Sequence, residues 1–264
     1  LELDLHLSAD GALVIWHDDF VTPEKCRLDA TGDNPPPDPD DPAATETELR
    51  ISHLTLDQLK QYRCDRNPDP QKFPDQDNSG TALAGDAYRL TTLGEFFDFV
   101  DRYAVSEEKS EEQRNQAAQV QFNVETKRKQ DPDIIGDDFD GVNPGPFEIA
   151  IVTMIEERGL VDRTIIQSFD HRSLWAAHTL NPDIRLAALT SKRPPDLDEY
   201  AAKGADIWSP RYKDVTPDRM QKAHDLGLLI IPWTVDDLDT AQKLIDLGVD
   251  GLITDRPDLF LTEQ

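Results

Sequence analysis

In the stretch LELDLHL, Leu1, Leu3, Leu5 and Leu7 alternate with Glu2, Asp4 and His6, and a second β-prone run, ALVIWHD, follows closely. Side chains alternate across a strand, so the leucines share one face and Glu2, Asp4 and His6 share the other. Asp10-Gly11 between the runs is a strong hairpin signal, because a type I′ turn needs positive φ at both central residues. A two-residue loop there predicts Ala9 opposite Ala12 and, counting outward, Asp4 opposite His17. Periodicity alone favours the plain reading, a solvent-facing strand with ordinary surface charges.

From Asp19 to about Tyr88 the pattern lapses. DNPPPDPDDP and NPDPQKFPDQDNSG read as loops, because Pro removes backbone donors and restricts the residue before it. Between them, Leu54, Leu56 and Leu59 around Thr55 predict a short N-capped helix. So long a stretch with so little periodicity is a functional loop or an insertion with a fold of its own. Past it, Thr92 and Glu95 predict a capping box that opens the amphipathic run LTTLGEFFDFVDRYA. The following SEEKSEEQRNQ reads as a solvated charged stretch.

Beyond this point short apolar runs alternate with helical patterns. VQFNVETK, TIIQSFD, IRLAALT, ADIWSP, LLIIPWTV and GLITDRPD read as strands, with helices at about 147–158, 174–179 and 197–203, from 216 and from 237. Four of these helices end at Gly159, Gly204, Gly227 and Gly248, the residue type that closes a last turn in the left-handed conformation. Repeated strand–helix units predict parallel strands joined by right-handed crossovers. The expected fold is an α/β TIM (β/α)8 barrel over 1–264, with a loop-rich insertion at about 19–88 after the second strand. Six such strands and the opening one fall short of the barrel's eight, so a further strand is expected ahead of Leu1. A doubly wound open sheet is the runner-up, and no Gly-x-Gly-x-x-Gly phosphate turn supports it.

Charge changes the picture. The 264 residues carry a formal net charge of −26, with a pI of about 4.4. That field repels nucleic acid and anionic membranes, so neither is an expected partner, and an anionic substrate needs a bound cation or a local basic cluster. With 38% apolar residues, no stretch approaches the ~18 that a stable membrane insertion takes. Cys26 and Cys64 lack the spacing of a zinc site; by themselves they fit one disulfide or two free thiols equally.

In a barrel, reacting groups sit at the carboxyl ends of the strands. Those ends carry Glu2 and Asp4, Glu125 and Lys127 of NVETK, Ser168 and Phe169 of QSFD, then Thr190, Ser209, Trp233 and Asp255. Glu2, Asp4 and Glu125 come from strands that would be neighbours, and three acids in one mouth raise one another's pKa unless a cation sits among them. All-oxygen ligation suits a hard divalent ion, Ca²⁺ or Mg²⁺. Lys127 faces the same way, and a cation beside a lysine makes the anion site that a phosphate ester requires. His17 then stands at the rim as general acid or base, although alone it reads as a loop-edge histidine held by Asp18 or Asp19. His6 reads as structural. Phe169 and Trp233 are candidate walls of the substrate pocket.

LELDLHLSADGALVIWHDD resembles the glycerophosphodiester phosphodiesterase pattern of Glu-x-Asp, a Thr/Ser-x-Asp-Gly turn and His-Asp in close order. NVETK resembles that family's Glu-x-Lys strand and RLTTLGEFFDF its Pro-Thr-Leu-x-Glu helix entry, while IPWTVDD and GVDGLITDRPD resemble its closing pair. The resemblance implies a TIM barrel, Ca²⁺ or Mg²⁺ held by Glu2, Asp4 and Glu125, a catalytic His17, and Lys127 on the phosphate. It implies cleavage of a small glycerophosphodiester to sn-glycerol 3-phosphate and an alcohol. The alternatives are a phospholipase-D-like enzyme of the same superfamily and a non-catalytic barrel that binds phosphodiesters or sugars. The insertion with EKCR and YRCD looks most like the exported bacterial members, so a periplasmic or secreted protein with a Cys26–Cys64 disulfide is expected. The family's first-strand His-Arg-Gly and its Pro-Glu-Asn turn, with a second histidine and an arginine, are not in this sequence and are expected ahead of Leu1.

Overall fold

The structure is a computed structural model that describes residues 1–260, except 30, 31, 75, 77, 78, 81, 86, 129–136 and 193; the parts of the predicted insertion at these positions lie outside the described residues. The opening pattern forms a hairpin of β1 (Glu2–Leu7) and β2 (Leu13–Ile15), with Leu5, His6 and Leu7 opposite Ile15, Val14 and Leu13. This register differs by one residue from the two-residue-loop expectation. Ala9, Asp10 and Gly11 form a three-residue loop closed by Ser8 N–H on the Ala12 carbonyl at 2.9 Å. Gly11, at φ +84°, supplies the left-handed residue that such a loop needs. Asp10 favours the longer loop because its carboxylate accepts from Ser8 Oγ at 2.6 Å and from the Leu56 N–H at 2.9 Å. Asp4 therefore faces Trp16, whose N–H donates to the Asp4 carbonyl at 2.9 Å, and His17 lies just past the strand instead of opposite Asp4.

The insertion rests on the hairpin. Val14, Val21, Cys26, Leu49, Ile51, Leu54, Leu59, Tyr62 and Leu90 form a second small core there. Helix α1 (Leu56–Leu59) has its expected cap, with Thr55 accepting from the Gln58 N–H. Cys26 and Cys64 are disulfide-bonded, next to a short ribbon of β3 (Arg27–Leu28) and β4 (Tyr62–Arg63). After β5 (Thr91–Thr92), Thr92 and Glu95 cap α2 (Leu93–Val105) reciprocally, as the sequence predicts. The charged stretch that follows is solvated, as the sequence predicts, and it leads into a helix the pattern did not announce, α3 (Glu111–Gln119), started by a Ser110–Gln113 capping box and without a buried residue.

Alternating units then build the wall: β6 (Phe122–Thr126), α4 (Pro146–Glu157), β7 (Thr164–Ser168), α5 (His171–Leu180), β8 (Arg185–Thr190), α6 (Leu197–Ala202), β9 (Ile207–Pro210), α7 (Pro217–Asp225), β10 (Leu229–Ile230) and α8 (Leu238–Leu247). The sheet order is β10-β9-β8-β7-β6-β1-β2-β5: the parallel strands β6 to β10 add on one side of β1 in chain order, and the antiparallel β2 and then β5 lie on its other side. A doubly wound sheet reverses direction at a switch point, so this order selects the barrel-type winding. Among the described residues the ladder does not close into a ring. GLITDRPD is not a strand, yet Val235 N–H donates to the Ile253 carbonyl and Ile253 N–H to the Pro232 carbonyl, which sets this segment beside the end of the sheet.

Alternation divides the wall into two faces. Leu3, Leu5, Phe122, Val124, Ile166, Leu186, Ala188 and Trp208 pack outward beneath the helices. The inner face holds a small apolar plug of Ile165, Ala187 and Ile207 with Ile231, and the polar strand ends stand clear of it. Cross-linking Cys26 to Cys64, 38 positions apart, removes freedom from the unfolded chain, worth about 4 kcal/mol in the chain-entropy model. Urea unfolding of the reduced protein is expected to show a loss of up to that size.

Candidate active site

Parallel pairing sets Asp4 beside Glu125, and Glu125 beside Gln167, on three adjacent strands. Adjacent strands lie ~4.8 Å apart, so inward-facing side chains in one row must meet. Glu2, Asp4 and Glu125 each offer a carboxylate oxygen, and these oxygens lie within 4.8 Å of one another. Lys127 Nζ stands 3.3 Å from both Asp4 Oδ1 and Glu125 Oε1. All four groups border one cleft of about 650 Å³, together with His17, Phe169 and Trp233. The residues singled out in the sequence are thus brought together, including His17 despite the changed register.

The electrostatics are those of a crowded acid cluster. Burial, then Asp4 and Glu125, push Glu2 up to about 8. Burial chiefly, with Asp4 adding to it against the pull of Lys127, raises Glu125 as well. Burial works against the Lys127 ammonium, but Glu125 and Asp4 outweigh it and hold its pKa above the usual value. Three carboxylates and one ammonium leave two negative charges, the charge that one divalent cation neutralises. The donor set is all oxygen and its atoms are close enough to share one ion, so these residues fit Ca²⁺ or Mg²⁺.

His17 Nδ1 lies 2.8 Å from Asp18 Oδ1, a bond that outweighs partial burial and raises the imidazole pKa. The same bond, together with Lys25, holds the Asp18 carboxyl well below the usual range. His6 is buried under the site, where burial lowers it to about 4 and keeps it neutral. Phe169 meets Trp233 edge-on with ring centroids 5.4 Å apart, and Trp233 Nε1 donates to the Ser209 carbonyl at 3.0 Å.

Three participants were not singled out in the sequence. Gln167 donates to Glu2 Oε1 at 2.7 Å and accepts from Asn123 Nδ2 at 2.9 Å, orienting the outermost acid. Its parity with Phe169 was the available signal: the inward residue of QSFD besides Phe169 is Gln167. Ser168 faces the other way, accepting from Thr126 Oγ1 at 2.8 Å. Phe73 of the insertion also lines the cleft, and its neighbour Lys72 pairs with Asp236 at 3.0 Å and Asp255 at 2.8 Å on the opposite rim. Nothing in the local pattern of the insertion points to that crossing.

A parallel-stranded wall with acids, a lysine and a histidine at its strand ends defines a hydrolase-type α/β barrel site built for an anionic group. The sequence model of the glycerophosphoryl diester phosphodiesterase family matches residues 1–259, and the chain belongs to that family. It is an enzyme of the phosphoric diester hydrolase class. A glycerophosphodiester phosphodiesterase of Caldanaerobacter subterraneus is 26% identical over 262 residues, which is 99% of this chain and 84% of that protein. A Silicibacter pomeroyi crystal structure assigned as a glycerophosphoryl diester phosphodiesterase shares the fold with a TM-score of 0.73 at 23% identity, covering 98% of this chain and 80% of that one. An Oleispira antarctica phosphodiesterase, solved in complex with the product sn-glycerol-3-phosphate, matches with a TM-score of 0.64 at 18% identity, covering 98% and 81%. These neighbours confirm the TIM-barrel fold class.

The raised acids set a pH dependence. A carboxyl whose folded pKa lies above its unfolded value binds more protons when folded, so stability falls as pH rises between the two values. For Glu2 that window runs from about 4.5 to about 8. Metal-free protein is expected to melt at progressively lower temperature across it, and saturating Mg²⁺ or Ca²⁺ to flatten the slope. Thermal melts at several pH values, with EDTA or with the cation, measure both.

Proposed function

We propose that the chain is a divalent-cation-dependent phosphodiesterase that hydrolyses small glycerophosphodiesters to sn-glycerol 3-phosphate and an alcohol. The observation that carries this reading is the convergence of Glu2, Asp4, Glu125 and Lys127 in one cleft with His17 at its edge. Family membership and the product seen in the Oleispira neighbour support the same substrate class. Glu2, Asp4 and Glu125 are the residues that would hold the ion. When bound, a divalent cation polarises phosphoryl oxygens and offsets the charge that develops on them.

The remaining roles belong to this chain's own side chains. Lys127 contributes its ammonium to a non-bridging phosphoryl oxygen, a positive donor preorganised where charge grows. His17, with Nδ1 held by Asp18, leaves Nε2 to move a proton at the attacking or departing oxygen. Gln167 keeps Glu2 turned toward the other acids. Phe169 and Trp233 wall the organic part of the substrate and exclude water from that side. The Cys26–Cys64 disulfide supports a periplasmic or secreted location, where such bonds persist.

Release of sn-glycerol 3-phosphate from glycerophosphocholine tests the reading. Turnover is expected with Mg²⁺ or Ca²⁺, to vanish with EDTA, and to return on adding the ion back; an active protein indifferent to chelator would refute the cation dependence. His17→Gln is expected to lower kcat by roughly a hundredfold with an unchanged melting temperature. A variant that melts early but turns over normally would reduce His17 to a structural residue.

A further inference from the structure

The His17 side chain is 69% exposed, so packing does little to fix its ring. What orients the imidazole is the bond from Nδ1 to Asp18 Oδ1. Asp18 spends its other oxygen on Lys25, whose Nζ lies 2.5 Å from Oδ2. Each carboxylate oxygen thus has its own partner, and the Asp18 rotamer that reaches His17 is the one that Lys25 holds. His17, Asp18 and Lys25 all border a second open cleft of about 540 Å³, so among the described residues that side offers no close-packed wall to do the same work.

Lys25 is in turn fixed from behind. Its N–H donates to the Thr22 carbonyl at 3.2 Å, and its own carbonyl accepts from the Arg66 N–H at 3.2 Å. Its ammonium lies 5.5 Å from the centroid of the Trp16 ring, within cation–π range. The next residue, Cys26, is fully buried and bonded to Cys64, which closes the base of the insertion. A surface ion pair between two free side chains is worth little, because both must be immobilised to form it. Here the backbone on each side of Lys25 is already ordered, which removes part of that cost.

We propose that Lys25, carried on the disulfide-bonded root of the insertion, is a positioning residue that holds Asp18 in place to orient His17. The insertion thereby acts on the chemistry through a chain of contacts, Cys26–Cys64 to Lys25 to Asp18 to His17, without Lys25 touching substrate. The inference rests on the reading of His17 as the proton carrier. A ring misplaced by a fraction of its reach still binds nothing differently, so the effect belongs in kcat and not in KM.

Steady-state kinetics on glycerophosphocholine with saturating Mg²⁺, run beside thermal melts, test it with Lys25→Met and Lys25→Arg. Lys25→Met is expected to lower kcat by about tenfold with KM within twofold and the melting temperature little changed. Lys25→Arg, which keeps a cation within reach of Asp18, is expected to recover most of that loss. Wild-type kcat in Lys25→Met overturns the proposal, as does an equal loss in both variants that tracks a lower melting temperature. A wild-type protein inert toward the diester overturns the phosphodiesterase reading and this inference with it, whereas an active wild type with an indifferent Lys25→Met overturns the role of Lys25 alone.

Discussion

Repulsion among Glu2, Asp4 and Glu125 is the constraint around which the mouth of the barrel is organised. Parallel register forces Asp4 and Glu125 into one row, and strand spacing leaves them no room to separate. Relief comes from two directions, Lys127 between two of the acids and Gln167 on the third, and the residual charge is what the proposed cation would offset. A cluster so arranged costs folding free energy when empty. It persists because the apolar plug and the outward leucines of β1 fix the strands regardless of what their ends carry.

The insertion completes what the strands begin. Its small core buries Val14, with Trp16 packed against it, on the side of β2 that would otherwise face solvent, and its far end crosses the mouth through Lys72. Phe73 then lines the same cleft as Phe169 and Trp233. The described part of this loop-rich segment is tied twice, covalently at Cys26–Cys64 and by the ion pairs of Lys72 with Asp236 and Asp255.

Most of the wall was legible because each unit repeats the same local rules. Gly159, Gly204, Gly227 and Gly248 all adopt positive φ where the helices end, and Thr92, Thr216 and Asp237 cap where they begin. Alternation in LELDLHL and NVETK was enough to aim Glu2, Asp4, Glu125 and Lys127 at one face. The hairpin register was not legible, because Asp10 chooses the longer loop through a bond to Leu56, 46 positions away. Helix α3 escaped notice because it buries nothing, and a helix without an apolar face has no period to detect. Phe73 and Lys72 escaped because their partners lie far along the chain.

With a divalent ion held by the three acids, as proposed, Lys127 and that ion would make the site a small attractive point inside a strongly negative molecule, and this would shape the traffic of anions through it. In the proposed reaction the phosphodiester group brings one negative charge, and a monoester product would carry close to two near neutral pH. The long-range field of a −26 chain therefore opposes arrival weakly and favours departure more strongly. Mobile ions shorten that field to about 10 Å at 0.1 M while leaving the contacts inside the cleft largely intact. Raising ionic strength consequently quickens encounter with an anionic diester, the reverse of an enzyme that steers its ligand by opposite charge. The surface of this barrel functions less as a funnel than as a barrier with one gap, lowest in concentrated brine.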